Sequence, residues 1–226
     1  MTDLRALDPA SNATLSSTLV ARVREAIMRG ELMPGAKLVL DRMRAVYGVS
    51  LSPLREALCR LESEGLVQIV DQRGYRVTPV SKENLAEVIR LRVEFEGLAA
   101  REAMLHGDAA WEGRIVAALH LLGRSPRETR SAEQQEAWER AHRAFHAELI
   151  SACRMPILRQ FCETLHDQSD RYRRIFLKDH RPDRDVPAEH AAIAEAMIER
   201  RVDDALRLLR DHIERTGRNV QAALCP

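Results

Sequence analysis

The sequence predicts a mainly α-helical protein, with a small N-terminal domain that includes a β-hairpin and a larger domain built from helices alone. Apolar residues recur at helical spacing along most of the 226 residues. β-prone residues cluster in two short runs, Leu66–Val70 and Tyr75–Val80, on either side of a polar turn. We therefore expect a flexible arm over residues 1–13, a first domain over 14–80 and a second domain over 81–226.

The first domain is predicted to begin with two helices. An apolar stripe starts after Thr14 and ends near Gly30, and Pro34-Gly35 then forms a turn. A short helix over residues 41–47 follows, and Gly48 ends it because glycine readily takes the left-handed conformation just past a helix. The stripe of the first helix consists of Leu15, Leu19, Val23 and Ile27.

A third helix and a hairpin complete the first domain. Ser50 or Ser52 caps this helix, Pro53 occupies its first position and Gly65 ends it. The two β-prone runs then form a wing that closes the domain near Val80. Helix, turn, helix and wing, in this order, is the arrangement that places one helix in the major groove of DNA. The predicted fold is therefore a winged helix-turn-helix of three helices plus a β-hairpin wing.

The second domain is predicted to be an all-α, six-helix antiparallel bundle. Glycine, proline and polar clusters interrupt the periodic pattern, and the connections between the helices are short. Helices joined in this way pack as antiparallel neighbours and can enclose an interior site. The predicted helices cover residues 82–106, 109–123, 132–153, 157–178, 187–200 and 203–223.

Composition limits the class of protein. The 35 basic and 34 acidic residues nearly cancel, so any affinity for DNA must come from local placement of charge. The four cysteines show no CxxC spacing, which favours free thiols in a reducing compartment. No apolar run approaches the roughly 18 residues of a membrane span, and the N-terminus lacks a secretory signal pattern. We expect a cytoplasmic protein without a membrane segment.

The start of the third helix carries the candidate DNA contacts. The hydroxyls of Ser50 and Ser52 suit phosphate binding at a helix N-terminus, and Arg55 can reach a guanine edge. The alternative is that Arg55 pairs with Glu56 or Glu62 on a solvated face. Further candidates for phosphate or minor-groove contact are Arg44 on the preceding helix, and Gln72 and Arg73 on the wing.

Several motifs of the first domain resemble those of a known protein family. They are Tyr47-Gly48-Val49-Ser50, Pro53-Leu54-Arg55-Glu56-Ala57-Leu58, Glu64-Gly65-Leu66-Val67 and Arg73-Gly74. With them the segment resembles the winged-helix domain of GntR-family bacterial transcription regulators. The helical remainder resembles the FCD ligand-binding domain of the FadR-type subfamily, and six helices indicate its VanR-like branch. Leu51 stands where the family usually has arginine, so one expected DNA contact is missing.

Four of the eight histidines fall on apolar helical stripes. A single buried histidine is usually a hydrogen-bonded core residue, but four inward-facing imidazoles favour a shared ion. An all-imidazole set favours zinc, nickel or a similar ion over magnesium or calcium. The resemblance also implies a divalent metal site, since many FCD domains carry Asp-x-x-x-His and two later histidines. The predicted ligands are His142, which replaces that aspartate, His146, His190 and His212.

A small carboxylic acid is the expected effector. Arg92 lies on an apolar stripe of the first bundle helix, and the resemblance implies an arginine here for the effector carboxylate. The alternative is a salt bridge between Arg92 and Glu94, Glu96 or a neighbouring helix. Weaker candidates for the same pocket are Ser169, Arg171 and Tyr172.

The leading hypothesis is a ligand-responsive transcription regulator, expected to be a repressor and not an enzyme. A homodimer would present two winged helices to an inverted-repeat operator, because a twofold protein matches a twofold site. A metal-dependent hydrolase or lyase that uses the four histidines is the alternative from another class. It leaves the winged helix unexplained, and no carboxylate stands in an HExxH-like relation to the ligands. A third possibility is a purely structural metal with no effector.

Overall fold

The structure, a computed structural model, describes residues 15–71, 73–125, 131–177 and 184–224. The arm expected over residues 1–13 lies outside this part of the chain. The described residues form two compact units, the first up to Leu85 together with Gln168–Leu177, and the second from Ala86 to Asp167 together with the residues from Arg184 onward. The mainly α-helical fold class is confirmed.

The first unit contains a winged helix-turn-helix. Its helices are α1 (Leu15–Met28), α2 (Leu40–Tyr47) and α3 (Leu51–Ser63). The wing strands β2 (Val67–Val70) and β3 (Gly74–Val77) pair antiparallel, with Gln68 opposite Arg76. A two-residue strand, β1 (Lys37–Leu38), pairs with the other edge of β3. The sequence did not predict β1, because two residues are too few to show an alternating pattern.

Glycines end α2 and α3 as predicted. Gly48 has a φ of 66° and donates its N–H to the carbonyl of Arg44, while Gly65 has a φ of 74°. α3 begins at Leu51, earlier than predicted, with Ser50 as the N-cap residue. Pro53 therefore occupies the third helical position, where the absence of an N–H removes no intrahelical hydrogen bond. The start of the helix consequently includes both serines proposed to contact DNA.

The core of the first unit forms between α1 and α3. These helices bury the apolar stripes that the sequence shows, and the hairpin adds Leu66, Val67 and Val77. Because α3 turns its apolar side toward α1, its other side faces solvent. The buried stripe residues are Leu19, Val23 and Ile27 of α1 and Leu54, Leu58 and Leu61 of α3.

Six longer helices follow, near the predicted positions. The second unit holds α5, α6, α8 and α9, whereas α4 begins and α7 ends among residues of the first unit. α5 packs on both α6 and α8, and α8 packs on α9. No helix in the described residues is long and apolar enough to cross a membrane. The bounds are α4 Lys82–His106, α5 Ala109–Gly123, α6 Ala132–Leu149, α7 Pro156–Phe176, α8 Val186–Ile198 and α9 Val202–Ala223.

Trp111 anchors one end of the second unit. Its ring is fully buried, and its indole N–H donates to the carbonyl of Glu148 over 2.9 Å. The guanidinium of Arg200 lies 4.8 Å from the ring centroid and donates to the carbonyl of Gly107. A Cβ atom at Gly107 would lie 2.1 Å from the Trp111 ring, so this position has no room for a side chain.

Replacing Gly107 with alanine should therefore destabilise the protein. The new methyl group must displace the Trp111 ring, and overpacking of this kind costs about 1–3 kcal/mol of unfolding free energy. Gly113→Ala is the matched control, because Gly113 lies within α5 with nothing within 4 Å of the added Cβ. We expect the control to be neutral or to gain up to about 1 kcal/mol from helix propensity. Urea unfolding of both variants would measure this, and equal stability would contradict the packing described.

Candidate functional site

The four predicted histidines meet inside the second unit. His142 and His146 lie one turn apart on α6, His190 lies on α8 and His212 on α9, and all four are buried. One ring nitrogen from each can be chosen so that all four atoms lie within 4.8 Å of one another. The sequence therefore identified residues from three helices that the fold brings into a single cluster.

His146 is the central member of this cluster. Its ring centroid lies 4.6 Å from that of His142, 5.4 Å from that of His190 and 5.3 Å from that of His212. Neither of its ring nitrogens has a hydrogen-bond partner among the described residues. An unsatisfied buried polar atom costs about 1–3 kcal/mol. A cation bound by the lone pair of this imidazole would offset that cost, so the residues present fit a metal ion.

The electrostatic environment disfavours the charged form of His146 and His212. Burial lowers the pKa of His146 well below its ordinary value, and the neighbouring His212, His166 and His190 lower it further. Burial also lowers the pKa of His212, although the hydrogen bond with Glu189 opposes the change. Neutral imidazole is the form that donates a lone pair to a metal ion.

A carboxylate behind His212 sets the orientation of its ring. The Nδ1 atom of His212 lies 2.9 Å from Oε2 of Glu189, which also accepts from Arg184 over 2.7 Å. Burial alone would raise the pKa of Glu189, but the hydrogen bond with His212 and the charge of Arg184 lower it. The ionised carboxylate holds the proton of His212 on Nδ1, so the lone pair on Nε2 is available to a metal ion. The sequence did not predict this contact, because Glu189 and His212 lie on different helices.

His166 is a fifth buried histidine beside the cluster, and the predicted set of four ligands does not include it. Its ring centroid lies 5.3 Å from that of His146, and its Nδ1 atom lies 3.2 Å from Nη2 of Arg92. A signal for this position exists, because His166 follows the buried Cys162 by one helical turn. Because charged residues lie close to it in the sequence, His166 does not stand out as part of an apolar stripe. His180, the other histidine of this region, lies outside the described residues.

Arg92 is buried in an ion pair. Its Nε atom donates to Oε1 of Glu96 over 2.6 Å and its Nη2 atom donates to Oε2 over 3.2 Å. The salt bridge that the sequence left open as an alternative therefore forms. A cavity of about 30 Å³ lies among Glu96, His146 and His166. This volume is far below the roughly 300–1,000 Å³ that is usual for small-molecule sites, so a carboxylic acid would fit only after side chains move.

The other predicted effector residues lie in the first unit. Tyr172 donates its hydroxyl proton to Oδ1 of Asn84 over 2.8 Å and accepts from the N–H of Ser81 over 3.1 Å. Arg171 donates from Nη2 to the carbonyl of Pro79 over 3.1 Å. These bonds hold the segment between β3 and α4. That Ser169, Arg171 and Tyr172 contact an effector stays a prediction.

The predicted DNA-reading residues that the structure describes lie on the exposed surface of the first unit. Ser50 is the N-cap residue of α3, and its side chain makes no capping hydrogen bond. Ser52 and Arg55 follow within the next turn and a half. The first turn of α3 contains no acidic residue. Glu56 pairs with Arg60 over 2.7 Å, and no ion pair joins Arg55 to a described carboxylate. Among the remaining candidates, Arg73 is exposed at the wing turn, Arg44 lies 3.5 Å from Asp41, and Gln72 lies outside the described residues.

Comparison with known proteins assigns the two parts of the chain. Residues 15–77 match the profile of bacterial regulatory proteins of the gntR family, and residues 87–215 match the FCD domain. The chain belongs to the GntR family. This confirms the resemblance seen in the sequence motifs, and GntR-family proteins are transcriptional regulators that bind operator DNA. The prediction of a regulator, not an enzyme, is confirmed as well.

Relatives and solved structures extend this assignment over most of the chain. The HTH-type transcriptional regulator BphR of Paraburkholderia xenovorans is 38% identical over 85% of this chain and 80% of its own. The HTH-type transcriptional repressor GlaR of Escherichia coli is 31% identical over 83% of this chain and 87% of its own. The structure of E. coli McbR/YncC superposes with a TM-score of 0.76 at 20% identity, over 94% of this chain and 98% of its own, and shows the same fold.

The buried pair of Arg92 and Glu96 should contribute strongly to stability. Glu96→Gln removes the carboxylate charge that faces this guanidinium, and breaking a buried ion pair in this way costs about 3–5 kcal/mol. Glu56→Gln is the matched control, because it removes the acidic member of an exposed i,i+4 pair on α3. That loss should stay below about 1 kcal/mol. Denaturant unfolding would compare the two variants. A similarly small loss of unfolding free energy in both would show that the burial of Arg92 does not require the charge of Glu96.

Proposed function

We propose that this transcriptional regulator is a ligand-responsive repressor that binds an inverted-repeat operator as a homodimer. A small carboxylic acid bound near a divalent ion in the second unit would change its affinity for DNA. The observation that carries the proposal is the cluster of four buried imidazoles, in which neither ring nitrogen of His146 has a described hydrogen-bond partner. The repressor GlaR, which shares most of its length with this chain, supports the direction of the regulation.

The proposed ion is zinc, or nickel or a similar metal, held by His142, His146, His190 and His212. Imidazole nitrogen suits these ions, whereas magnesium and calcium prefer oxygen. Four neutral ligands supply no negative charge to balance the ion, and the nearby carboxylate of Glu189 reaches it only through His212. The remaining positive charge attracts an anion, which supports a carboxylic acid as the effector.

The effector is proposed to approach the ion from the side of Arg92 and His166. Arg92 would supply a second anchor by exchanging Glu96 for the effector carboxylate, since a guanidinium binds either carboxylate in the same manner. The effector then alters DNA affinity only if it binds one conformation of the dimer better than another. The cavity of about 30 Å³ also favours a second possibility, a purely structural ion. Calorimetric titration of the metal-loaded protein with carboxylic acids distinguishes the two.

DNA reading is proposed to depend on the start of α3 and on the wing. Ser50 and Ser52 would contact phosphate, helped by the partial positive charge of the helix N-terminus. Arg55 would contact a base edge, and Arg44, Gln72 and Arg73 would contact the DNA backbone or the minor groove. The exposure of the described members of this set supports the proposal. The exposed Leu51 offers no hydrogen bond at a position beside them.

Removal of His146 should abolish metal binding. His146→Ala deletes the central ligand, so the purified variant should lose about one equivalent of metal per chain, with an affinity at least about 100-fold weaker than that of the unchanged protein. His120→Ala is the control, because His120 is an exposed histidine on α5. Elemental analysis after dialysis would measure both variants. Full metal content in His146→Ala would exclude the proposed ligand set.

Removal of Arg55 should weaken operator binding without changing metal content. A base contact of this kind contributes about 1–3 kcal/mol, so Arg55→Ala should lower the affinity by about 5–150-fold and relax specificity at one base pair. Arg60→Ala on the same helix is the control, because Arg60 pairs with Glu56 near the helix end. Fluorescence anisotropy at one fixed salt concentration, on a DNA site selected by the protein from a random pool, would compare them. Equal affinities would remove Arg55 from the reading surface.

A further inference from the structure

We propose that the first unit carries a separate binding site for a small oxyanion, centred on the guanidinium of Arg171 and the hydroxyl of Thr78. The ligand class is a small carboxylate or a phosphate group, since both present anionic oxygens that accept hydrogen bonds. This site lies among residues of the DNA-binding unit and does not depend on the proposed metal.

A cleft of about 480 Å³ provides the space for such a ligand. Its walls come from the end of α3, strand β2, the segment after β3 and the last turns of α7. The volume lies within the range of about 300–1,000 Å³ that is usual for small-molecule sites. Its lining includes polar side chains on several sides, namely Gln68, Thr78, Asn84, Gln168 and Arg171.

Arg171 is the main reason to expect an anion in this cleft. Its side chain lines the cleft and the residue is 2% exposed, yet no ion pair joins it to a described carboxylate. Its Nη2 atom donates to the carbonyl of Pro79, but Nε and Nη1 are buried without a hydrogen-bond partner among the described residues. Burial lowers the pKa of this guanidinium, an effect that the oxygen of Tyr172 partly offsets.

Two other buried arginines show what Arg171 lacks. Arg92, which is 5% exposed, pairs with Glu96 over 2.6 Å. Arg173, which is 7% exposed, pairs with Asp170 over 3.0 Å. A buried charge is normally paired because an isolated one loses its hydration without compensation. An oxyanion from solution would give Arg171 the counter-charge that the protein supplies to the other two.

Thr78 provides a second donor to the same cleft. Its Oγ1 atom is buried without a hydrogen-bond partner, while its backbone N–H donates to the carbonyl of Leu66 over 3.0 Å and so fixes its position. A hydroxyl proton and a guanidinium together suit an anionic oxygen, which accepts from both. Glu62 also lines the cleft and opposes an anion, but it is exposed, so solvent and salt weaken its repulsion.

An anion at Arg171 would act on the connection between the wing and α4. Arg171 already holds Pro79, and the adjacent Tyr172 holds Ser81 and Asn84. Gln168 donates to the carbonyl of Glu64 over 3.2 Å at the end of α3. A ligand that bridges Arg171 and Thr78 would add a link between α7 and the segment after the wing, and would therefore reduce the motion of the wing.

The test uses the full chain with His146→Ala, so that no anion binds through the proposed metal. Inorganic phosphate and acetate are titrated separately by calorimetry, with sodium chloride at matched ionic strength. We expect one saturable site per chain for at least one of these anions, and the stronger binder identifies the phosphate or the carboxylate class. Adding Arg171→Met should weaken binding by at least about 10-fold, because hydrogen bonds to a charged group contribute about 1.5–3 kcal/mol each.

Two further variants control this experiment. Thr78→Val keeps the shape of the side chain and should weaken binding by about 3–10-fold through the loss of one hydroxyl donor. Arg207→Met removes an exposed charge from α9 and should leave binding unchanged. If circular dichroism shows that Arg171→Met does not fold, the anion affinity of Thr78→Val is the test of the site. The absence of saturable binding of both anions, or equal binding by the parent, Arg171→Met and Thr78→Val, would overturn the proposal while leaving the metal assignment unaffected.

Discussion

The burial of four imidazole rings is the main constraint on the interior of the second unit. His146 has both ring nitrogens buried without a described hydrogen-bond partner, and burial keeps the ring neutral. Aliphatic side chains of similar size would fill this space without the loss of hydration. We propose that a shared cation is the reason why α6, α8 and α9 all direct histidines to one point, because an ion would accept the lone pair for which His146 has no described partner.

Charges around the histidines follow from the same constraint. Glu189 orients His212 and is held in turn by Arg184, so a carboxylate stands behind a ligand instead of beside the ion. Arg92 and Glu96 neutralise each other next to His166. The four neutral ligands would add no negative charge to balance a bound ion, and we propose that the adjacent guanidinium then exchanges one carboxylate for another. These features suit a sensor of anions better than a catalyst.

Local signals predicted the helices and the cluster, whereas long-range packing decided the remaining details. The stripes on α1 and α3, and the left-handed glycines Gly48 and Gly65, are visible in the sequence because they depend on neighbouring residues. The histidine cluster was predictable for the same reason, since each member lies on an apolar stripe. Strand β1, the burial of His166, the pairing of Arg92 with Glu96 and the place of Arg171 in the first unit depend on contacts between distant segments, which spacing does not encode.

X-ray absorption spectroscopy of the purified, metal-loaded protein would show whether the four histidines bind a metal ion. The edge energy identifies the element, and the fine structure gives the ligand atoms and their distances. For zinc we expect a first shell dominated by imidazole nitrogen at about 2.0–2.1 Å, with the outer-shell scattering that imidazole rings produce. A first shell made of oxygen alone, or one containing sulfur from a cysteine, would contradict a centre built from His142, His146, His190 and His212.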